Sequence, residues 1–340
     1  MLPWFLNQFP LYLAPMAGVT DTIFRQLCKE NGADVMVTEF VSAEGVFRRN
    51  ERTLEYLEFQ DTERPLGVQL FGGDPGHLGE AARMIMDWKR PDFIDLNFGC
   101  PVNKVVSKNG GSSLLRDCPL LERVARAVVQ AVAPHPVTAK IRIGWSAATI
   151  NAPTTARILE DCGVQAIAVH GRTKEQGYRG EADWDVIAEV AAAVKIPVIG
   201  NGDIAGAHDL ELRKSSGIRG AMIGRAAMGA PWIFKELKSG GAGTAFTPPS
   251  LEEQWALIRR HCSLNAERRG NELSAMHSMR SRLMAYSRGM PDAKALRATF
   301  SHVASLGELD EIIATHLASV QAHSSSAQQR PLQNHPLPLS

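Results

Sequence analysis

The sequence predicts an α/β fold, a (β/α)8 TIM barrel followed by a small C-terminal helical domain, on three observations. From residue 11 to about 225, short β-rich runs alternate with longer segments of helical period, as βαβ units around a parallel sheet require. Eight such runs occur, and most are continuously apolar, as strands covered on both faces should be. Beyond them, a stretch dense in Gly, Ser, Thr and Pro precedes segments whose apolar residues recur at helical spacing.

The candidate strands are Leu11–Met16, Asp34–Phe40, Gly67–Phe71, Phe93–Phe98, Val137–Ile143, Ala166–His170, Pro197–Asn201 and Gly220–Gly224. Helices are predicted over Asp21–Asn31, His77–Lys89, Pro119–Ala133, Thr154–Cys162 and Trp184–Val194, several with a helix-starting residue or proline just ahead. A doubly wound open sheet is the alternative, but it wants a glycine-rich phosphate turn after strand one, which Pro15-Met16-Ala17-Gly18 is not. Lys238–Ser250 reads as a linker, giving a barrel over residues 1–240 and a helical domain over 241–320. In that domain Leu251, Trp255, Ile258 and Cys262, then Met276, Met279, Leu283 and Tyr286, recur every three or four residues and are assigned to the core. Residues 321–340 are polar and proline-rich, and a disordered tail is expected there.

Composition narrows the class. With 340 residues, 44% hydrophobic and 21% charged, the chain is long enough for one barrel plus a small second domain. Five widely spaced cysteines without a CxxC pair argue against a disulfide framework and against a zinc site, and fit a reducing cytoplasm. The apolar opening segment is interrupted by Pro3, Pro10 and Pro15 and lacks a basic start, so it does not read as a signal peptide. No run reaches the roughly 18 apolar residues of a membrane span.

In parallel barrels the active site lies at the C-terminal strand ends, so the residues delivered there are the candidates. In chain order they are Pro15, Met16 and Ala17; Gln69; Asn97 and Cys100; Lys140 and Arg142; His170; Asn201, Gly202 and Asp203; and Gly224 and Arg225. Glycine loops after the last two strands, with a helix start and Arg225, suit a terminal phosphate, although Gly202 and Gly224 could also serve tight turns alone. Lys140 interrupts an apolar run, which is costly unless the ammonium is paired or holds negative charge, as at the N1/O2 edge of a flavin. A lysine snorkelling from the barrel rim is the other possibility. Cys100, on a loop leaving its strand, could be an acid or a nucleophile, whereas Cys28, Cys118, Cys162 and Cys262 read as small hydrophobes in helical contexts. Lys104, Lys108 and Gly110-Gly111 make a mobile positive lid plausible beside it, with a simple surface loop as the alternative. His170 and Arg172 could orient a ring carbonyl or a phosphate.

Together, Ala14-Pro15-Met16-Ala17-Gly18-Val19-Thr20-Asp21, Asp95-Leu96-Asn97-Phe98-Gly99-Cys100-Pro101, Lys140-Ile141-Arg142, Val169-His170-Gly171-Arg172-Thr173, Asn201-Gly202-Asp203-Ile204 and Met222-Ile223-Gly224-Arg225 resemble the signature set of the bacterial tRNA-dihydrouridine synthases. The resemblance spans about Leu11 to Val320 and is nearest the B-type branch. It implies FMN held by Pro15 to Ala17, Gln69, Lys140, His170, Asn201 to Asp203 and Gly224-Arg225, with NADPH as reductant. It also implies hydride transfer from flavin N5 to uracil C6 of a D-loop uridine, with Cys100 protonating C5 and Asn97 placing the base. Arg172 is assigned to the substrate side.

The tRNA must be gripped elsewhere while one base turns into the pocket. From Trp255 to Phe300 there are nine basic residues against three acidic, which suits phosphate contacts; Arg280 and Arg282 are the candidates singled out. Ser281-Arg282 departs from the family's helical-domain motif, where Lys-His is more familiar. A monomer suffices for this reading, and no metal is required. The competing readings are an FMN barrel acting on a free pyrimidine, as dihydroorotate dehydrogenases do, and an RNA-binding barrel without catalysis.

Overall fold

The computed structural model describes residues 2–106, 109–241 and 245–328. They fall into two compact units, Met1–Pro248 and Pro249–Ser340. The first contains strands β1 (Leu11–Leu13), β2 (Met36–Val37), β3 (Val41–Ser42), β4 (Leu66–Phe71), β5 (Phe93–Phe98), β6 (Val137–Arg142), β7 (Ile167–His170), β8 (Val198–Asn201) and β9 (Gly220–Ile223). All pair in parallel, in the order β1-β9-β8-β7-β6-β5-β4-β2, and a bridge between Tyr12 and Val35 links the two ends into a nearly closed barrel.

Each of the eight expected strands is present. The second is shortened to β2 within the run Asp34–Phe40, and β3 follows beyond it; both pair with β4. Thr38 accounts for the shortening, because its hydroxyl accepts from the Gln69 amide at 3.1 Å and donates to the Glu39 carbonyl at 2.9 Å, in place of ladder bonds. The helices predicted from period start as their caps dictate: Asp21, Asp74, Asp117 and Asp183 each accept from an amide three residues on, with Pro75 and Pro119 in the first turn of two of them. Helices over Ala43–Phe47, Glu51–Glu55 and Ala207–Lys214 escape periodicity; the last buries Leu210 alone, so no apolar stripe marks it.

The apolar opening segment is part of the barrel core. Leu2 and Phe5, with Trp4 against them, pack onto Tyr12, Val35, Phe93, Ala166, Ala168, Ile199 and Met222, and the Trp4 indole donates to the Tyr12 hydroxyl at 2.5 Å. Among the described residues no helix is long and apolar enough to cross a membrane.

The units divide after Pro248 rather than at residue 240. The helix Ile233–Gly241 runs into the expected linker because Ile233, Phe234 and Leu237 are buried and Lys238 pairs with Asp34 at 2.6 Å. Linker residues 242–244 lie outside the described residues. The second unit has helices over Leu251–Arg269, Glu272–Tyr286, Ala293–Phe300 and Leu306–Gln328. Trp255, Ile258, Cys262, Met276, Met279, Leu283 and Tyr286 are buried, as their spacing implies. Of the tail expected from residue 321, residues 321–328 instead continue a helix anchored by Leu309 and by His316, whose Nδ1 accepts from the Trp255 indole at 3.1 Å. Extending an already nucleated helix costs little, which is why polar residues continue it. Residues 329–340 lie outside the described residues.

Candidate active site

Side chains alternate along a strand, and Tyr12, Phe93, Ala166, Ala168, Ile199 and Met222 all belong to the barrel core. The same alternation turns Ala14, Asp95, Asn97, His170, Asn201 and the position of Gly224 inward at the C-terminal ends. Lys140 stands in register between Asn97 and Ala168 and joins them. The candidates of these strands thus converge on one mouth.

Beneath the mouth runs a chain of buried hydrogen bonds. Thr138 Oγ1 donates to Asp95 Oδ1 at 2.5 Å, and Gln69 Nε2 donates to Asp95 Oδ2 at 2.6 Å. Asn97 Nδ2 donates to Gln69 Oε1 at 2.7 Å, while Asn97 Oδ1 accepts from the amides of Gly99 at 3.0 Å and Cys100 at 2.8 Å. Asn97, expected to place a substrate, therefore also anchors the Cys100 loop, and both ends of the Gln69 amide are engaged. Burial pushes the Asp95 carboxyl up, against the bonds from Thr138 and Gln69 and the charge of Lys140.

Cys100 is buried, and burial pushes its thiol up, against the Val102 amide and the charges of Arg142 and Lys140. It is therefore protonated at neutral pH and holds a proton to give. The segment expected as a lid instead brackets it: Ser112 donates to the Cys100 carbonyl through its amide at 3.1 Å and its hydroxyl at 2.8 Å. Asn103–Val106 is helical and Gly111–Arg116 forms a 3-10 helix, while Ser107 and Lys108 lie outside the described residues. Gly111 has φ +59°, and a Cβ there would meet the Cys100 carbonyl at 2.9 Å. Gly111→Ala is expected to displace Cys100 and lower turnover by on the order of 10²-fold while leaving every reacting group present. Product yield and thiol alkylation rate measured together check this; wild-type values for both would show that the bracket is dispensable.

The other side of the mouth is cationic. Lys140 makes no hydrogen bond among the described residues, and burial, then Arg142, lowers it to about 8. His170 is buried and held far below the ordinary imidazole range by burial and by Lys140, Arg142, Arg172 and Arg225, so it is neutral. Arg172 Nη1 stands 3.4 Å from His170 Nε2, which makes Nε2 the acceptor and leaves the ring proton on Nδ1.

Arg172 and Asp203 are engaged in bonds within the protein. Arg172 is buried and bound on all sides, to Asp203 at 2.8 and 2.7 Å, to the Gly180 carbonyl at 2.6 Å and to the Arg179 carbonyl at 3.2 Å. These bonds shape the loop after β7. Asp203, at φ +53°, also accepts from Arg225 at 2.7 Å and the Ala182 amide at 2.7 Å. Burial opposes its ionisation, but the Ala182 amide and Arg172 outweigh it and hold the carboxyl below its usual range. Asp203 thus positions Arg225. Gly202, at φ +134°, leaves no room for a Cβ, which would stand 2.5 Å from that of Ala182; at Gly224 a Cβ would make ordinary contacts. Asn201 donates to the Met222 carbonyl at 2.8 Å and ties β8 to β9.

Arg142 was among the strand-end candidates without a role of its own, and Tyr178 was not singled out from sequence. Arg142 spans three loop carbonyls, Gly99, Thr173 and Gly177, each at 2.9 Å. Tyr178, 60% exposed, has its ring between the Arg142 and Arg225 guanidinium carbons, 5.8 and 5.5 Å away, and 6.2 Å from the His170 ring. No periodicity marks a loop tyrosine, although its spacing of eight residues from the strand-end histidine would have been the signal. In the second unit, Arg280 donates to the carbonyls of Val303 at 3.0 Å and His302 at 2.9 Å, and Arg282 is buried. Arg280 thus spends donors inside its own unit, and Arg282 is turned inward.

A family model described as dihydrouridine synthase matches residues 12–323. The chain is 46% identical over 241 residues to a protein of Xanthomonas campestris pv. campestris named tRNA-dihydrouridine synthase B, covering 70% of this chain and 72% of that one. It is 39% identical over 295 residues to the protein of that name from Pseudomonas aeruginosa, covering 86% and 88%. It is likewise 39% identical over 313 residues to a probable tRNA-dihydrouridine synthase of Mycobacterium tuberculosis, covering 88% and 80%.

Proposed function

Because this chain belongs to the dihydrouridine synthase family, we propose that it reduces the C5=C6 bond of a D-loop uridine in tRNA, using FMN and NADPH. The observation that carries the reading is a protonated, bracketed Cys100 thiol close to the cations of the mouth, Lys140 and Arg142. Lys140, without a hydrogen-bond partner among the described residues, and a neutral His170 among four cations form a cradle that an anionic ring edge and a phosphate would complete. FMN fits that donor set: Lys140 and His170 toward the ring, Gln69 and Pro15 to Ala17 beside it, and Asn201, Gly202, Gly224 and Arg225 toward the phosphate, with Asp203 holding Arg225. When bound, the flavin supplies hydride chemistry that no side chain can.

The chain's own contribution is position and a proton. Asn97 fixes the Cys100 loop and presents its remaining amide hydrogen to the base, and Cys100 gives its proton to C5. The target uridine has to leave its stack to reach this depth. Arg288, Lys294 and Arg297, exposed on and just before the helix Ala293–Phe300, replace Arg280 and Arg282 as the candidates for gripping phosphates. A single chain in the cytoplasm suffices for this scheme.

Lys140 makes cofactor binding pH-dependent. Its ammonium titrates near 8 in the free site and must rise when it pairs with an anion, so binding takes up a proton between those two values. Flavin affinity is therefore expected to be flat below about pH 8 and to fall up to tenfold per unit above it, as read by flavin fluorescence. A flat profile through pH 9 would separate Lys140 from the cofactor.

Position-by-position dihydrouridine mapping on unmodified tRNA, incubated with the protein and NADPH, tests the reading as a whole. Product at a D-loop uridine is expected. A flavin-containing, NADPH-oxidising protein that leaves tRNA unchanged would overturn it in favour of a free pyrimidine.

A further inference from the structure

We propose that Arg116, Trp145 and Lys174 form a second RNA contact, on the barrel itself, that grips the sugar–phosphate backbone flanking the target uridine; this rests on the tRNA reading above. The three residues come from the loops after β5, β6 and β7, at the same strand ends as Cys100. The Arg116 guanidinium carbon stands 3.7 Å from the Trp145 ring centroid and the Lys174 ammonium 4.4 Å from it. The loops that carry them are joined by the Lys174 amide to the Gly144 carbonyl at 3.0 Å, the Glu175 amide to the Trp145 carbonyl at 3.0 Å, and Asn151 Nδ2 to the Leu115 carbonyl at 2.7 Å.

Two cations gathered on one ring repel each other, and among the described residues neither has a carboxylate partner. Asp117, next to Arg116, is spent capping the Leu120 amide at 3.0 Å, and Glu175, next to Lys174, makes no ion pair among the described residues. Trp145 is half-buried, and among the described residues its indole N–H has no acceptor. Two positive charges and one N–H donor at the strand ends, Arg116 exposed and Lys174 and Trp145 half-buried, form a surface complementary to a phosphodiester. A flat aromatic face that is already covered by cations is not free to stack a base, which favours the backbone over the bases as the group recognised.

The experiment compares wild type with Arg116→Gln/Lys174→Gln and Arg116→Glu/Lys174→Glu, by filter binding of full-length tRNA over a range of salt, with melting temperature as the control for folding. The neutral pair is expected to weaken binding about tenfold or more at moderate salt and to reduce the slope of log K against log salt by about two, one for each phosphate no longer neutralised. The reversed pair should weaken it further. Single Arg116→Gln and Lys174→Gln variants, each expected to take about one from the slope, keep the test open if a double variant melts early. Wild-type affinity and slope in folded variants of an enzyme that does form dihydrouridine would overturn the rim alone. A wild-type protein that neither binds tRNA nor forms dihydrouridine would overturn the tRNA reading and the rim with it.

Discussion

Cys100→Ala is expected to lower dihydrouridine formation by about 10²- to 10⁴-fold, the usual contribution of a positioned acid, while NADPH oxidation continues. The substitution removes one sulfur from a loop that is otherwise held by backbone: the Cys100 amide still donates to Asn97 and the Cys100 carbonyl still accepts from Ser112. The fold and the cationic cradle therefore survive, and the proton is what is lost. Burial keeps the thiol protonated beyond the ordinary range, so wild-type product formation should hold through neutral pH and fall as pH rises through the raised thiol value. Product yield from tRNA in a single turnover, measured beside NADPH absorbance, checks both statements. Wild-type yield from the alanine variant would place the proton donor elsewhere.

Asp203→Ala should cost stability as well as function. Arg172 is 2% exposed, and its charge is balanced by the two carboxylate oxygens of Asp203. Removing the carboxylate leaves the buried arginine charge unbalanced, at up to about 3–5 kcal/mol, lowered by the 28% exposure of Asp203. The bond to Arg225 adds little to that figure, since the arginine side chain is 49% exposed. Loss of Arg225 positioning should appear instead as weaker flavin binding. Asp203→Asn keeps an acceptor and a residue tolerant of the left-handed backbone, so it should lose less of both. Denaturant unfolding of the two variants measures the difference; an alanine variant as stable as wild type would mean that Arg172 finds other acceptors and that Asp203 is not the keystone of this loop.

The strands were legible because a parallel barrel writes each of them as an apolar run, and Phe93–Phe98 was readable to the residue. The break at Thr38 was not, since a threonine that bonds its own chain looks like any other β-former in a run. The polar residues at strand ends were legible as a set for the same geometric reason: one inward position fixes every second residue above it. What a given member touches was harder to read. Gly110-Gly111 suggested a mobile lid, yet Gly111 is required because the chain passes against the Cys100 carbonyl, a contact between segments that no local pattern reports.

The sequence by itself therefore determined the barrel, the helical second unit, and the cluster of Gln69, Asn97, Cys100, Lys140, His170 and Asn201 at one mouth, because alternation and strand order are local and additive properties of the chain. Only the tertiary structure decided which cations are free to meet a ligand. Arg172, Arg280 and Arg282 are consumed by Asp203, by loop carbonyls and by burial, whereas Lys140, Arg116 and Lys174 keep charge to offer. An arginine's partners come from segments tens of residues away, and a composition or a spacing counts its charge without recording whether that charge is already satisfied.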